Sequence, residues 1–154
     1  MIQGKFLSYG DDLSPVFEIR RKVFIEEQGV SEEEEFDEYD DFAIHAIVYD
    51  IDDSKKPVAT GRVYHDGKNY RVGRIAVLKE ERGKYYGDFA VRLLVNKAFM
   101  SGAEEVVIGA QVSAVPFYEK IGFVSFGEIY KEADIDHITM KVKLDTICRK
   151  CDKK

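Results

Sequence analysis

Residues 74–88 read RIAVLKEERGKYYGD, and this stretch decides the fold because it leads from a strand into a long helix. The apolar run that ends at Val77 is typical of a strand, and a helical spacing of apolar residues begins near Gly87. The loop between them carries a glycine flanked by two cations, at 82–84. Such a loop offers backbone N–H groups and the positive end of a helix dipole to an anion. We expect it to bind a phosphate or pyrophosphate, and an ordinary glycine turn is the alternative.

Two familiar nucleotide-binding motifs do not fit this loop. A P-loop ends in Gly-Lys followed by Ser or Thr, whereas Gly83-Lys84 is followed by Tyr85. A dinucleotide fingerprint belongs to a parallel sheet, whereas the strands before this loop are predicted to be antiparallel. Neither motif therefore accounts for the loop.

Three strands are predicted before the loop, at 43–49, 58–65 and 70–77. Turn residues separate them, at 52–54 and 66–69. The three strands are therefore predicted to form an antiparallel meander.

The N-terminal part is predicted to contain a strand at 2–9 and then a helix. The apolar face of this helix starts at Leu13, with Ser14 as the N-cap and Pro15 at the first helical position. An acidic segment follows, Ser31 to Asp41, which is predicted to be a loop or a short helix.

The elements after the loop are predicted to be a helix at 87–100, a buried strand at 106–108, a short helix at 115–121, and strands at 123–130 and 137–144. This order predicts an α/β protein of the α+β kind, with one mixed sheet covered by helices on both faces. We predict a single domain over residues 1–144 and a C-terminal tail over 145–154.

Composition and charge limit the classes of function. The 154 residues are 45% hydrophobic and 34% charged, as in a globular domain. The net charge of −6 argues against a nucleic-acid partner, although a local basic pocket could still hold a small anion. The sequence shows no membrane-spanning run and no signal-peptide pattern, so we expect a cytoplasmic protein that folds alone or as a homodimer.

Both cysteines, Cys148 and Cys151, lie in the predicted tail and cannot join distant parts of a fold. Two thiolates are half of a tetrahedral zinc site, so no metal site is predicted. A frayed tail is expected, and a metal or disulfide shared across a dimer is the alternative.

Two motifs resemble the signatures of the GNAT superfamily of N-acetyltransferases. Residues 74–77 together with 82–87 resemble its acetyl-CoA signature, Arg/Gln-x-x-Gly-x-Gly/Ala. Residues 114–123, AVPFYEKIGF, resemble its second signature.

Further segments are similar to the ElaA/YjcF-like branch of that superfamily. They are residues 19–28 (IRRKVFIEEQ), Asp40, His45 and residues 136–140 (DHITM). The resemblance covers nearly the whole chain, from about Ile19 to Leu144.

The resemblance implies a mostly antiparallel central sheet with a splayed cofactor cleft, and transfer of acetyl from acetyl-CoA to a primary amine in a ternary complex. The amine would belong to a small molecule or a peptide. The residues implied in binding acetyl-CoA are Ile75, Ala76, Val77, Arg82, Gly83, Lys84, Tyr85, Tyr86, Gly87, Asp88, Gln111 and Phe117. The first three are expected to act through their backbone at the splayed strand, and Gln111 through a hydrogen bond.

Tyr85 departs from the superfamily pattern, because it stands where the signature has its middle glycine. A positive φ or a need for a bare Cα at this position would weaken cofactor binding. We expect the side chain to point outward, so that the loop still binds through its N–H groups.

Tyr118 is the implied catalytic residue, as a general acid that protonates the leaving thiolate. From residue type alone, an aromatic that packs on a short amphipathic helix is the alternative.

Candidates for contact with the acceptor are Glu27, Gln28, His45 and His137. The two histidines have side chains suited to proton transfer near neutral pH, although a structural role is the alternative for each, and a water relay would need no base. The acidic segment is either a solvated face or a negative rim that attracts cationic amines.

Two other functions compete with the acetyltransferase. One is a non-catalytic acyl-CoA-binding module with the same fold, which the unusual Tyr85 favours. The other is a nucleotide-binding domain unrelated to CoA, which the antiparallel meander disfavours.

Overall fold

A computed structural model describes residues 1–52 and 55–147. The strands are β1 (Ile2–Leu7), β2 (Ile44–Asp50), β3 (Lys56–His65), β4 (Tyr70–Val77), β5 (Glu105–Gln111), β6 (Val124–Glu132) and β7 (Ile135–Lys143). They form one seven-stranded sheet in the order β1-β2-β3-β4-β5-β7-β6. Among the described strands, β4 and β5 pair in parallel and the other neighbours pair antiparallel. The predicted meander and the mixed, mostly antiparallel sheet are confirmed.

The helices are α1 (Ser14–Arg20), α2 (Glu32–Glu35), α3 (Tyr86–Met100) and α4 (Val115–Ile121). A π-helical segment, Arg21–Glu27, continues α1 directly. Short 3-10 turns lie at Glu38–Asp41, Lys79–Glu81 and Val112–Ala114. The π-helical segment was not predicted, and such segments occur often at functional sites.

Helices cover both faces of the sheet, as expected. On one face Leu94 of α3 packs in a cluster with Ala46 and Val72. On the other face Ile19 of α1 packs in a cluster with Ile47. Since Ala46 and Ile47 are consecutive residues of β2, the alternation of a strand separates the two clusters.

The predicted N-cap of the first helix was wrong. Ser14 is the first helical residue, and Leu13 occupies the N-cap position without a side-chain hydrogen bond. The Ser14 hydroxyl and backbone N–H both donate to Asp12 Oδ1, at 2.8 and 3.1 Å. The hydroxyl is therefore used toward the preceding loop instead of toward the helix.

The end of the described chain remains attached to the domain. Backbone N–H groups of Thr146 and Ile147 donate to the Lys143 carbonyl at 3.0 and 3.1 Å, and Ile147 packs against the core. Cys148 and Cys151 lie outside the described residues. None of the described helices combines the length and the apolar character that crossing a membrane requires.

Candidate active site

A cleft opens where β4 and β5 separate. The two strands pair for three residues, the last pair being Val72 with Ile108. The remainder of β4, residues 73–77, pairs with β3 on its other side but not with β5. The cleft has a volume of about 970 Å³, which is at the upper end of the range for small-molecule sites. The exposed strand edge leaves backbone polar groups available to a ligand.

A β-bulge accompanies this separation. Pairing with β3 passes from Gly73 to Ala76, so Arg74 and Ile75 together oppose Gly61. Arg74 has a φ of +52°, a left-handed conformation that costs a non-glycine residue about 1 kcal/mol. Because a bulge bends its strand, this one turns residues 75–77 away from β5.

Hydrogen bonds to the acidic segment hold Arg74 in this conformation. Its guanidinium donates to the carbonyl oxygens of Glu34 and Glu35 at 3.1 Å and to Asp37 Oδ2 at 3.1 Å. These bonds offset the backbone strain, so the shape of the cleft depends on a segment about forty residues earlier in the chain.

The N-terminus of α3 faces the cleft. Tyr86, Gly87 and Asp88 line the cleft, and no side chain caps the helix. A Cβ at Gly87 would lie 3.2 Å from Val77 Cγ2 and 3.4 Å from the Phe117 ring. The bare Cα therefore allows β4 and α4 to approach the helix closely, and the first N–H groups of α3 remain open to an anion.

The two cations of the loop have different surroundings. Arg82 lines the cleft, and its Nε donates to the Val77 carbonyl at 3.1 Å. Lys84 is exposed, donates to Glu81 Oε1 at 3.0 Å, and is not among the residues that line the cleft. Arg82 is therefore the loop side chain better placed to meet an anion.

Tyr85 has both a positive φ and an outward-pointing side chain. Its φ is +69°, so the backbone is left-handed, and its side chain is 68% exposed. The glycine-like conformation is thus kept, and the bulky group points outward as expected.

We expect Tyr85→Gly to be more stable than Tyr85→Ala by about 1 kcal/mol, because both variants lose the ring and only alanine keeps the left-handed strain. Urea denaturation of the two variants measures this difference. A more stable alanine variant would show that the backbone at this position is not strained.

Two consecutive residues at the end of the π-helical segment bridge the cleft. Glu27 accepts two hydrogen bonds from Arg82, both at 2.8 Å, and donation from Arg82 lowers the pKa of the Glu27 carboxyl. The Gln111 amide donates to Gln28 Oε1 at 2.9 Å. Arg82 follows β4 and Gln111 ends β5. Glu27 and Gln28 therefore contact opposite walls of the cleft, on the sides of β4 and β5 respectively. Gln28 and Gln111 line the cleft, and Glu27 reaches it through Arg82.

The second motif places two aromatic side chains on the cleft. Phe117 and Tyr118 both line it, and their rings pack edge to face at a centroid distance of 4.9 Å. Tyr118 is 6% exposed, and burial raises the pKa of its phenol well above the usual range. The phenol therefore keeps its proton at neutral pH, as a proton donor must.

The two candidate histidines are in different environments. His137 lines the cleft, stacks on Tyr130 at 5.6 Å, and its Nδ1 lies 2.7 Å from the Ile135 carbonyl. Because a carbonyl can only accept, Nδ1 carries the proton and Nε2 is the nitrogen that can accept one. His45 is fully buried outside the cleft lining, with Nε2 donating to the Asp40 carbonyl at 3.1 Å, and burial lowers its pKa. The structure thus removes His45 from the residues that could touch a substrate.

Three of the eight carboxylates in the acidic segment, Glu35, Asp37 and Asp40, belong neither to a solvated face nor to a rim. Glu35 and Asp40 are 2% and 5% exposed, and both accept from the buried Arg20, at 2.8 and 2.7 Å. Asp40 and Asp37 also accept from Arg62, both at 2.7 Å. With Arg74, these residues form an ion cluster of three arginines and three carboxylates. Other carboxylates of the acidic segment, among them Glu32, Glu33 and Glu38, are exposed.

One feature of the sequence, an arginine among the apolar residues of the first helix, indicates this cluster and was not used in the prediction. Arg20 falls on the buried face of α1, four residues after Val16 and next to Ile19. An arginine on an apolar face requires carboxylate partners, and the acidic segment was the nearest source of them. Among the described residues, no group of three or more His, Cys, Asp or Glu side chains is placed so that it could hold a metal ion.

Comparison with known proteins agrees with this architecture. A model of the acetyltransferase (GNAT) domain matches residues 21–144. The uncharacterised N-acetyltransferase YjcF of Bacillus subtilis is 36% identical over 131 residues, which are 84% of this chain and 91% of YjcF.

Solved structures share the fold. Escherichia coli ElaA superposes with a TM-score of 0.81 at 24% identity, over 93% of this chain and all of ElaA. An acyl-CoA N-acyltransferase from Pseudomonas aeruginosa superposes with a TM-score of 0.79 at 22% identity, over 92% of this chain and 99% of that one. The chain therefore belongs to the GNAT family of acyltransferases, has YjcF as a relative and shares the fold of ElaA.

Proposed function

We propose that this protein transfers an acetyl group from acetyl-CoA to the primary amine of an acceptor, by direct transfer in a ternary complex. The observation that carries the proposal is the cleft between β4 and β5, which joins an uncapped helix N-terminus at one place to Tyr118 at another. The first feature suits a pyrophosphate and the second suits a departing thiolate.

The described residues fit a cofactor of this shape. The N–H groups at residues 86–88 and the nearby Arg82 would hold the pyrophosphate. The free edge of β4 at 75–77 would bind the amide-bearing arm through backbone hydrogen bonds, with Gln111 on the opposite wall and Phe117 against the arm. Acetyl-CoA would supply an acyl group activated as a thioester.

Tyr118 acts in this proposal as the general acid. As the amine nitrogen bonds to the carbonyl carbon, the C–S bond breaks and the sulfur takes the phenolic proton of Tyr118. The amine gives up one proton, which Nε2 of His137 would accept directly or through water. Passage of that proton through water to the Tyr118 phenolate would restore both side chains. The sum is one amide formed and one thiol released, with no net change in protons.

Arg82 would exchange one anionic partner for another. In the structure Glu27 neutralises Arg82. A pyrophosphate would compete with that carboxylate, and the end of the first helix would then be free to adjust around the acceptor. Glu27 and Gln28 thus connect the cofactor end of the cleft with its acceptor end.

The first test is stabilisation by ligand. Acetyl-CoA at about 100 times its dissociation constant should stabilise the fold by about 2.7 kcal/mol, which raises the Tm of a chain this size by roughly 5–10 °C. ATP at the same concentration should raise it much less. Differential scanning fluorimetry measures both, and an unchanged Tm with acetyl-CoA contradicts the cofactor assignment.

Gly87→Ala localises the bound cofactor. Its Cβ would press on Val77 and Phe117 at the entrance of α3, so we expect weaker acetyl-CoA binding while the ligand-free variant still melts cooperatively. Full affinity in this variant would contradict the loop assignment.

Release of CoA thiol that depends on an added amine then separates an enzyme from a module that only binds acyl-CoA.

A further inference from the structure

One arginine of the cleft stands apart from the others. Arg62, Arg74 and Arg82 also line the cleft, and each donates to a carboxylate at 2.7–3.1 Å. Arg71 makes no hydrogen bond to a described residue, and its ion pair with Asp66 is long, at 3.7 Å.

Asp66 is already committed elsewhere. Its Oδ1 accepts from the backbone N–H groups of Lys68 and Asn69 at 2.9 and 2.7 Å, which closes the turn between β3 and β4. The Arg71 guanidinium therefore has donors that the protein does not use, although its side chain is only 30% exposed. A guanidinium with unused donors at the wall of a cleft is available to an anionic ligand.

Arg71 lies next to the point where the cleft opens. It pairs with Val107, one residue before the last paired position of β4 and β5. Val72 faces the core under α3, so Arg71 is on the opposite side of the sheet, the side of the acidic segment. In the proposed function the reacting thioester would lie beside this point.

A tyrosine stands beside the guanidinium. The position of a Cβ on Gly109 would collide with the Tyr130 hydroxyl and lie 4.0 Å from Arg71 Nη2. Both donors therefore border the bare Cα of Gly109, and glycine at this position leaves room for the Tyr130 hydroxyl. Tyr130 also stacks on His137, which connects this pair to the proposed proton acceptor.

We propose that Arg71, assisted by the Tyr130 hydroxyl, binds a carboxylate of the acceptor, so that the substrate is a primary amine that also bears a carboxylate, as in an amino acid. This inference rests on the proposed function, because it assigns the acceptor end of the same cleft. A guanidinium fork matches the two oxygens of a carboxylate. Since Arg71 is close to the opening of the cleft, the amine must be only a few bonds from the carboxylate.

The charges nearby favour a carboxylate over a phosphate. Glu34 and Glu132 also line the cleft, and Glu132 is 54% exposed. These carboxylates would repel a dianion and attract the ammonium group of a zwitterion. Arg71 carries one positive charge, and because its ion pair with Asp66 is long, at 3.7 Å, its unused donors can meet the single charge of a carboxylate.

The test compares amines that differ only in the carboxylate. Free amino acids and 4-aminobutyrate are each paired with their primary amides and supplied with acetyl-CoA to the wild type, to Arg71→Gln, and to the control Arg21→Gln, an exposed arginine outside the cleft. We expect the wild type to prefer the acid of at least one pair. Arg71→Gln should lower kcat/KM for that acid by roughly 10–100-fold, with the amide unaffected and the control equal to the wild type.

A binding measurement separates this inference from the proposed function. With CoA saturating, calorimetric titration of the N-acetylated acids and amides should show tighter binding of the acids, lost in Arg71→Gln. Acid binding that depends on Arg71 without turnover of any amine supports the carboxylate site while contradicting the enzyme. Phosphoethanolamine is added to the panel as an amine that bears a phosphate. Turnover without preference for acids, equal losses for acid and amide, preference for phosphoethanolamine, or no binding of any panel member overturns the inference.

Discussion

Tyr118→Phe should lower kcat by about 10²–10⁴-fold, the usual contribution of a general acid. This loss corresponds to roughly 3–5 kcal/mol of activation free energy. The phenyl ring still packs against Phe117 and Phe123, so the cleft keeps its shape. KM for acetyl-CoA should change little, because a proton transfer in the transition state does not hold the ground state.

Stability distinguishes this role from a structural one. The Tyr118 hydroxyl makes no hydrogen bond to a described residue, so its loss should leave the Tm nearly unchanged. Tyr70→Phe is a matched control, since that hydroxyl lies outside the cleft and its one hydrogen bond to a described residue is a long one to the Ser101 carbonyl, at 3.4 Å. Full kcat in Tyr118→Phe would exclude the phenol from the mechanism, and the proton would then have to come from water or from His137.

Arg20→Met should destabilise the fold by about 3–5 kcal/mol, because it leaves two buried carboxylates, Glu35 and Asp40, with one cationic partner fewer. Arg20 is 1% exposed and donates to Glu35 and Asp40 through four hydrogen bonds. A domain of this kind has only about 5–15 kcal/mol of stability in total, so the Tm should fall by roughly 6–20 °C. Equilibrium denaturation in urea gives the free energy directly.

The neighbouring residue provides the control. Arg21 is exposed and pairs with Glu32 at 3.2 Å, so Arg21→Met should cost less than about 1 kcal/mol. Equal losses in the two variants would mean that burial of the ion cluster adds nothing.

The same comparison has a defined pH dependence. Burial opposes ionisation of Asp40, but donation from Arg20 and Arg62 outweighs it, and the pKa of Asp40 is lowered. A carboxyl with a lowered pKa stabilises the fold above its unfolded pKa, near 3.9, and this stability is lost as the pH falls through the folded value. The difference between Arg20→Met and the wild type should therefore shrink below about pH 4.

Local patterns in the sequence predicted most of the fold. The meander, the long helix and the mixed sheet follow from the spacing of apolar residues and from the turn residues. These two signals each depend on a few consecutive residues. The loop before α3 could be read in the same way, because glycine, charge and a helix start are all local. Two local features were not predicted correctly. Ser14 was predicted as an N-cap, but its hydroxyl donates to Asp12 instead. The π-helical segment was missed because no pattern of apolar residues distinguishes it from an α-helix.

Only the tertiary structure decided which of the candidate side chains face the cleft. His45 and His137 have equivalent side chains, yet one is sealed beneath the acidic segment and the other lines the cleft. Likewise, Arg20 is neutralised in the interior while Arg71 keeps its donors unused. The partners of these side chains lie far along the chain. Arg20 pairs with Asp40, twenty residues later, and Gln111 donates a hydrogen bond to Gln28, about eighty residues earlier. Since desolvation and ion pairing act across space, residue type and spacing along the chain cannot set them.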